Sequence, residues 1–154
     1  MEYELINKTN FQEIRKDISL KKNKKIVVEA RDNDLNRKIL EDSRASCLLF
    51  NEFYNNASKL KQRDSGLNHV LCKIAKKNNV TIAFSFNIFL KKDSFSLADS
   101  ISKLSQNIRL CQKYKVNIIF KDVKDIDKLA LKSFLLTLGM NNLSVKKCVE
   151  NSFD

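Results

Sequence analysis

The residues able to do chemistry are few and scattered. The 154-residue chain has one histidine, His69, and four cysteines, Cys47, Cys72, Cys111 and Cys148. Zinc ligands come in clustered pairs such as CxxC, and the chain has no such pair. A multi-metal phosphoesterase centre draws on several His and Asp ligands, which one histidine cannot supply. A general base needs a partner within hydrogen-bond reach, and no Ser or Cys nucleophile motif accompanies His69. It sits beside Val70 and near Leu67 and Cys72, the setting of a semi-buried structural histidine. Gly66 and Gly139 form no phosphate-binding loop. The separated cysteines read as buried, reduced thiols acting as small apolar residues. The expectation is a chain with no catalytic residue and no metal site.

Charge points elsewhere. Lys and Arg number 29 against 18 Asp and Glu, a net charge of +11, which fits an anionic partner, most often nucleic acid. The excess is mostly Lys in a chain also rich in Asn and Ile, so compositional bias accounts for it equally well. With 43% hydrophobic and 31% charged residues, the composition is that of an ordinary globular protein, long enough for one domain. No apolar run approaches the roughly 20 residues that cross a membrane. The start, Met-Glu-Tyr-Glu, has neither the basic region nor the apolar core of a signal peptide, so a cytoplasmic protein is expected.

The elements that must position any site follow from hydrophobic spacing. Strands are predicted to start near residues 3, 26, 46, 80 and 116, each followed by a helix. Asn10 and Asp32 or Asn33 are placed to cap the first two helices. Asp64 and Ser65 are placed to cap the third, whose apolar face is Leu67, Val70, Leu71, Ile74 and Ala75. Ser96 to Asp99 resembles a capping box for a helix with the stripe Leu97, Ile101, Leu104, Ile108 and Cys111. Asp125 opens a last long helix that Gly139 ends, and Leu143 to Val149 fits a short helix or an edge strand. The basic run Lys21 to Lys25 reads as a solvated helix end, and Lys76, Lys77, Lys113 and Lys115 suit helix C-termini. The long polar connection Asn51 to Gln62 is a candidate functional loop. This repeating βα pattern predicts a parallel sheet with right-handed crossovers. A closed eight-unit barrel takes about 200 residues or more, so a partial barrel is expected.

One stretch carries a family resemblance. Asp64-Ser-Gly-Leu-Asn-His-Val-Leu-Cys-Lys, then a helix, then Val80-Thr-Ile-Ala-Phe-Ser-Phe and Leu90, resembles the signature of ribonuclease P protein component 3. Upstream Val28 to Leu35 and downstream Arg109 to Val116, Phe134 and Gly139-Met140 extend it over roughly residues 24 to 140. Ser65 stands where the family has Pro, and Asn87-Ile-Phe-Leu90 replaces a segment like Arg-Pro-Leu-Leu, which removes a candidate RNA contact. The resemblance implies an α/β, TIM-barrel-like fold of the polymerase-and-histidinol-phosphatase type. Family members begin with a strand–helix unit upstream of the segment matched by Met1, so a barrel lacking its first βα unit is expected.

The resemblance further implies a protein subunit of ribonuclease P, which removes the 5′ leader from precursor tRNA. The RNA with its Mg²⁺ would do the chemistry, and the chain would bind no cofactor itself. Its implied partners are the RNase P RNA, a small ferredoxin-like protein subunit, the other protein subunits and, indirectly, precursor tRNA. Ligands of parallel α/β proteins bind at the C-terminal ends of the strands. That rule selects Arg31, Lys59, Lys61, Arg63, Asn87, Lys91, Lys92, Lys121 and Lys124 as candidate contacts to RNA backbone. Solubilising lysines are the competing reading. Asp64, Gly66 and His69 of the motif are expected to be structural. A metal-dependent phosphoesterase and a scaffold built on a degenerate barrel are the alternative functions.

Overall fold

A computed structural model describes residues 3–21, 24–53, 64–90 and 92–153. Five strands form one parallel sheet, β1 (Tyr3–Ile6), β2 (Lys25–Glu29), β3 (Cys47–Phe50), β4 (Thr81–Ser85) and β5 (Ile118–Lys121), in the order β1-β2-β3-β4-β5. The helices between them are α1 (Phe11–Leu20), α2 (Asn33–Glu41), α3 (His69–Lys77) and α4 (Ser94–Tyr114). Then α5 (Lys128–Thr137) and α6 (Asn142–Asn151) follow β5. Each new strand is added on the same side of the last, with no reversal of order. That is the winding of a barrel rather than of a doubly wound sheet. Among the described residues β1 and β5 do not pair, so the barrel is open.

Alternation divides the strands between two faces. Val28, Leu48, Phe50, Ile82, Phe84 and Phe120 belong to the main core with the helices, including Ile14, Ile39, Leu71, Leu104, Ile108 and Leu135. Phe84 is its hub, with ring centroids 5.4 Å from Phe50 and 6.0 Å from Phe120. The opposite face carries a thinner cluster of Val27, Cys47, Leu49, Ala83 and Ile119. Both faces are covered, which is why these strands read as continuous apolar runs.

The second face is covered by the end of the chain. Phe153 donates its N–H to the Phe120 carbonyl, and its own carbonyl accepts from Asp122 N–H, each at 2.9 Å. The segment thus bridges in parallel to β5 at Lys121. The Phe153 ring stacks on Tyr3 of β1, centroids 4.0 Å apart and planes 17° from parallel. One residue therefore links the two edges of the open sheet.

Caps explain most helix boundaries. Asn10 and Asp32 accept from the first-turn N–H groups of α1 and α2, as their spacing predicts. Three starts differ from expectation. Helix α3 begins at His69 because Asn68, not Asp64 or Ser65, caps it, accepting from the N–H groups of Val70 and Leu71. Helix α4 begins at Ser94, where Asp93 accepts from Phe95 and Ser96, so Ser96 lies inside the helix. Helix α5 starts later than Asp125, capped by Asp127, and Leu143 to Val149 is helical within α6. Strand β4 stops at Ser85, and Phe86–Phe89 turns into a 3₁₀ helix.

The Asp64–Gly66 segment is a built loop. The Asp64 carboxylate accepts from Gly66 N–H at 2.9 Å, and the Ser65 carbonyl accepts from the buried Asn107 amide of α4, also at 2.9 Å. Gly66 sits at φ +76°, and a Cβ there would lie 2.9 Å from Phe50 Cε1. The loop thus fixes α3 over β3 through backbone that only glycine supplies.

Two stability predictions follow from these contacts. Phe153→Ala removes the stack and part of the cover over the second face, and should lower unfolding free energy by about 1–2 kcal/mol in urea melts. Gly66→Ala adds backbone strain and a clash with Phe50, and should cost about 2–3 kcal/mol in the same assay. A melt unchanged by either substitution would contradict the corresponding contact.

Candidate functional site

The sequence places its candidates at the C-terminal end of the sheet. The described ones do gather there, but several are already occupied. Arg31, just after β2, donates from Nη2 to Asn7 Oδ1 at 2.5 Å and lies 3.6 Å from Glu29 Oε2. Its backbone is held by the buried Asn36 amide, which accepts from Arg31 N–H at 2.7 Å and donates to its carbonyl at 3.1 Å. Lys121, the last residue of β5, is ion-paired with Asp122. Asp122 also accepts from Ser85 Oγ at 2.5 Å, and it adopts a left-handed backbone at φ +62°. Lys92 donates to Ser100 Oγ at 2.8 Å. Asn87 in the 3₁₀ turn and Lys124 are exposed. Lys59, Lys61, Arg63 and Lys91, with most of the Asn51–Gln62 connection, lie outside the described residues.

This upper mouth is mixed in charge. Glu29, Ser85 and Lys121 project onto the second face of the sheet, and Glu29 is only 6% exposed. Each pairing lowers the positive potential that the cation would otherwise present. His69 occupies the first turn of α3 and is exposed, not semi-buried as its apolar neighbours in sequence imply. Leu67 and Cys72 are buried, whereas Val70, expected on the apolar face, is exposed beside His69 at the helix start.

Among the described residues no group of three or more His, Cys, Asp or Glu is placed to hold a metal ion. The four cysteines are buried and unpaired by disulfide. Burial pushes the Cys47 thiol far above its ordinary range, against a smaller opposing pull from Lys25. Burial also raises Cys148 to about 12, partly offset by a hydrogen bond with Ser152. Neither thiol is a nucleophile near neutrality. No helix of the described residues is long and apolar enough to cross a membrane.

The opposite, N-terminal end of the sheet was not singled out by sequence. A cleft of about 700 Å³ opens there between the strand starts and α6; Lys25, Lys76, Lys115 and Lys147 line it, and among the described residues no carboxylate does. A connected cavity of about 320 Å³ shares Tyr3, Lys25, Thr81 and Ile119 and continues to Ser46 and Asn78. The signal was present but dispersed. Lys25, Lys76 and Lys115 come just before, or within a few residues of, predicted strands, a repeat that places cations at one end of a parallel sheet.

No family model matches the chain. Curated relatives do. Ribonuclease P protein component 3 of Methanocaldococcus jannaschii is 28% identical over 120 residues, covering 75% of this chain and 51% of the relative. The protein of the same name from Methanococcus vannielii is 27% identical over 132 residues, covering 82% of this chain and 54% of the relative. That from Methanococcus maripaludis is 25% identical over 154 residues, covering 96% of this chain and 63% of the relative. The chain thus spans about half the length of the first two relatives. A chain in the cryo-EM structure of archaeal ribonuclease P with mature tRNA superposes with a TM-score of 0.77 at 25% identity, covering 96% of this chain and 64% of that one. The resemblance carried by residues 64–90 is therefore borne out: over the span they share, this open parallel barrel is similar in sequence and in fold to ribonuclease P protein component 3.

Proposed function

We propose that the chain is a protein subunit of ribonuclease P and assists its RNA in removing the 5′ leader of precursor tRNA. The observation that carries this reading is the match of 96% of the chain, at a TM-score of 0.77, to a chain of archaeal ribonuclease P. The net charge of +11 supports it, since Lys and Arg that neutralise phosphates release counterions and give affinity without reading sequence.

In this role the chain supplies surface and charge, while the RNA and its Mg²⁺ carry the reaction. One histidine, exposed at a helix start, and cysteines sealed in the core agree with that division. Its partners would be the RNA, the small ferredoxin-like subunit and the remaining protein subunits, in the cytoplasm. Asn87, Lys92 and Lys124 at the upper mouth would touch RNA backbone, and so would Lys59, Lys61, Arg63 and Lys91, which lie outside the described residues. Arg31 and Lys121 would contribute less, because Glu29 and Asp122 already face them.

The test is cleavage of precursor tRNA by the RNA and the other protein subunits at limiting Mg²⁺, with and without this chain. Adding it is expected to raise the rate or lower the Mg²⁺ requirement. Unchanged cleavage with an otherwise active assembly would overturn the proposal.

A further inference from the structure

The cleft at the N-terminal end of the sheet has the features of a binding site rather than of a solvated edge. Its four ammonium groups come from four separate places: the start of β2 (Lys25), the last turn of α3 (Lys76), the turn after α4 (Lys115) and the middle of α6 (Lys147). Among the described residues none of the four is ion-paired. Some cations elsewhere are, as Lys8 with Asp17, Lys21 with Glu4, Arg44 with Asp42 and Lys103 with Asp99. Four like charges around one concavity add up to a positive potential that attracts an anion. Lys76 and Lys115 also suit the carbonyl ends of their helices, but that explanation fails for Lys25 and Lys147. Lys25 starts a strand, its Nζ 5.4 Å from the Tyr3 ring centroid, and Lys147 lies mid-helix.

Helix α6 shows the same division. Val145 and Cys148 face the core, while Ser144, Lys147 and Asn151 line the cleft. Its exposed face is thus turned toward the strand starts, and Thr81 and Asn117 add hydrogen-bonding groups from the sheet side. Cations spread over four elements suit a chain of phosphates better than a single one.

We infer that this cleft holds the phosphodiester backbone of RNA, as a second contact surface at the end of the sheet opposite the upper mouth. The inference rests on the ribonuclease P reading for the identity of the RNA. Lysines placed this way would bind backbone without base preference, since they offer point charges to phosphate rather than forks to base edges.

The test is binding of full-length chain to the ribonuclease P RNA across a series of salt concentrations. The variant is the triple substitution Lys76→Gln, Lys115→Gln and Lys147→Gln, all at exposed positions. A charge-matched triple, Lys16→Gln, Lys38→Gln and Lys132→Gln, removes the same charge elsewhere, and thermal melts confirm that both fold. The cleft variant is expected to lose about 2–3 from the log–log salt slope and about 10- to 100-fold in affinity near physiological salt. The charge-matched variant should lose much less. Equal losses in both variants would overturn the inference by reducing it to net charge. Tight wild-type binding with no loss in the cleft variant would overturn it and leave the subunit reading intact. A wild-type chain that neither binds this RNA nor stimulates cleavage would overturn both.

Discussion

The structure depends on how an open parallel sheet with apolar residues on both faces is kept from water. Helices cover one face, and a closed barrel would cover the other by curling the sheet on itself. Here five strands stop short of closure. The remaining face, built on Val27, Leu49, Ala83 and Ile119, is covered where Phe153 pairs beside β5 and stacks on Tyr3 of β1. That bridge joins the edges of the sheet without a strand between them. It also fixes the end of α6, whose polar side then becomes a wall of the lower cleft.

Charge is distributed between the two ends in a way that composition conceals. Among the described residues the upper mouth pairs Arg31 with Glu29 and Lys121 with Asp122. The lower cleft gathers lysines with no acid among the described residues that line it. In barrel enzymes the upper end is where substrates react. In this chain the described part of the same end is partly neutralised by its own ion pairs.

Much of this was legible in the sequence. The five strands, the winding and the apolar stripes of α2, α3 and α4 follow from residues with little choice of environment, such as Leu48-Leu49-Phe50 and Leu104 with Ile108. Gly139, at φ +92°, ends the helical segment as its position predicts. Helix starts were less legible because Asp, Asn and Ser recur near each one, and every one of them can cap: Asn68 prevailed over Asp64, and Asp93 over Ser96. Helix α6 was ambiguous because its stripe is short and its partner is the sheet edge itself. The lower cleft was hard to read for a different reason. Its lysines lie far apart in sequence, at a strand start, two helix ends and the middle of α6, and only the parallel winding brings residues 25, 76, 115 and 147 to one place.

The measurement that bears most directly on the account is hydroxyl-radical footprinting of the ribonuclease P RNA with and without this chain, in the presence of the small partner subunit. A subunit that works through backbone contact predicts discrete stretches of protected RNA backbone that fade as salt is raised. No protection beyond that of the partner subunit alone would contradict the account.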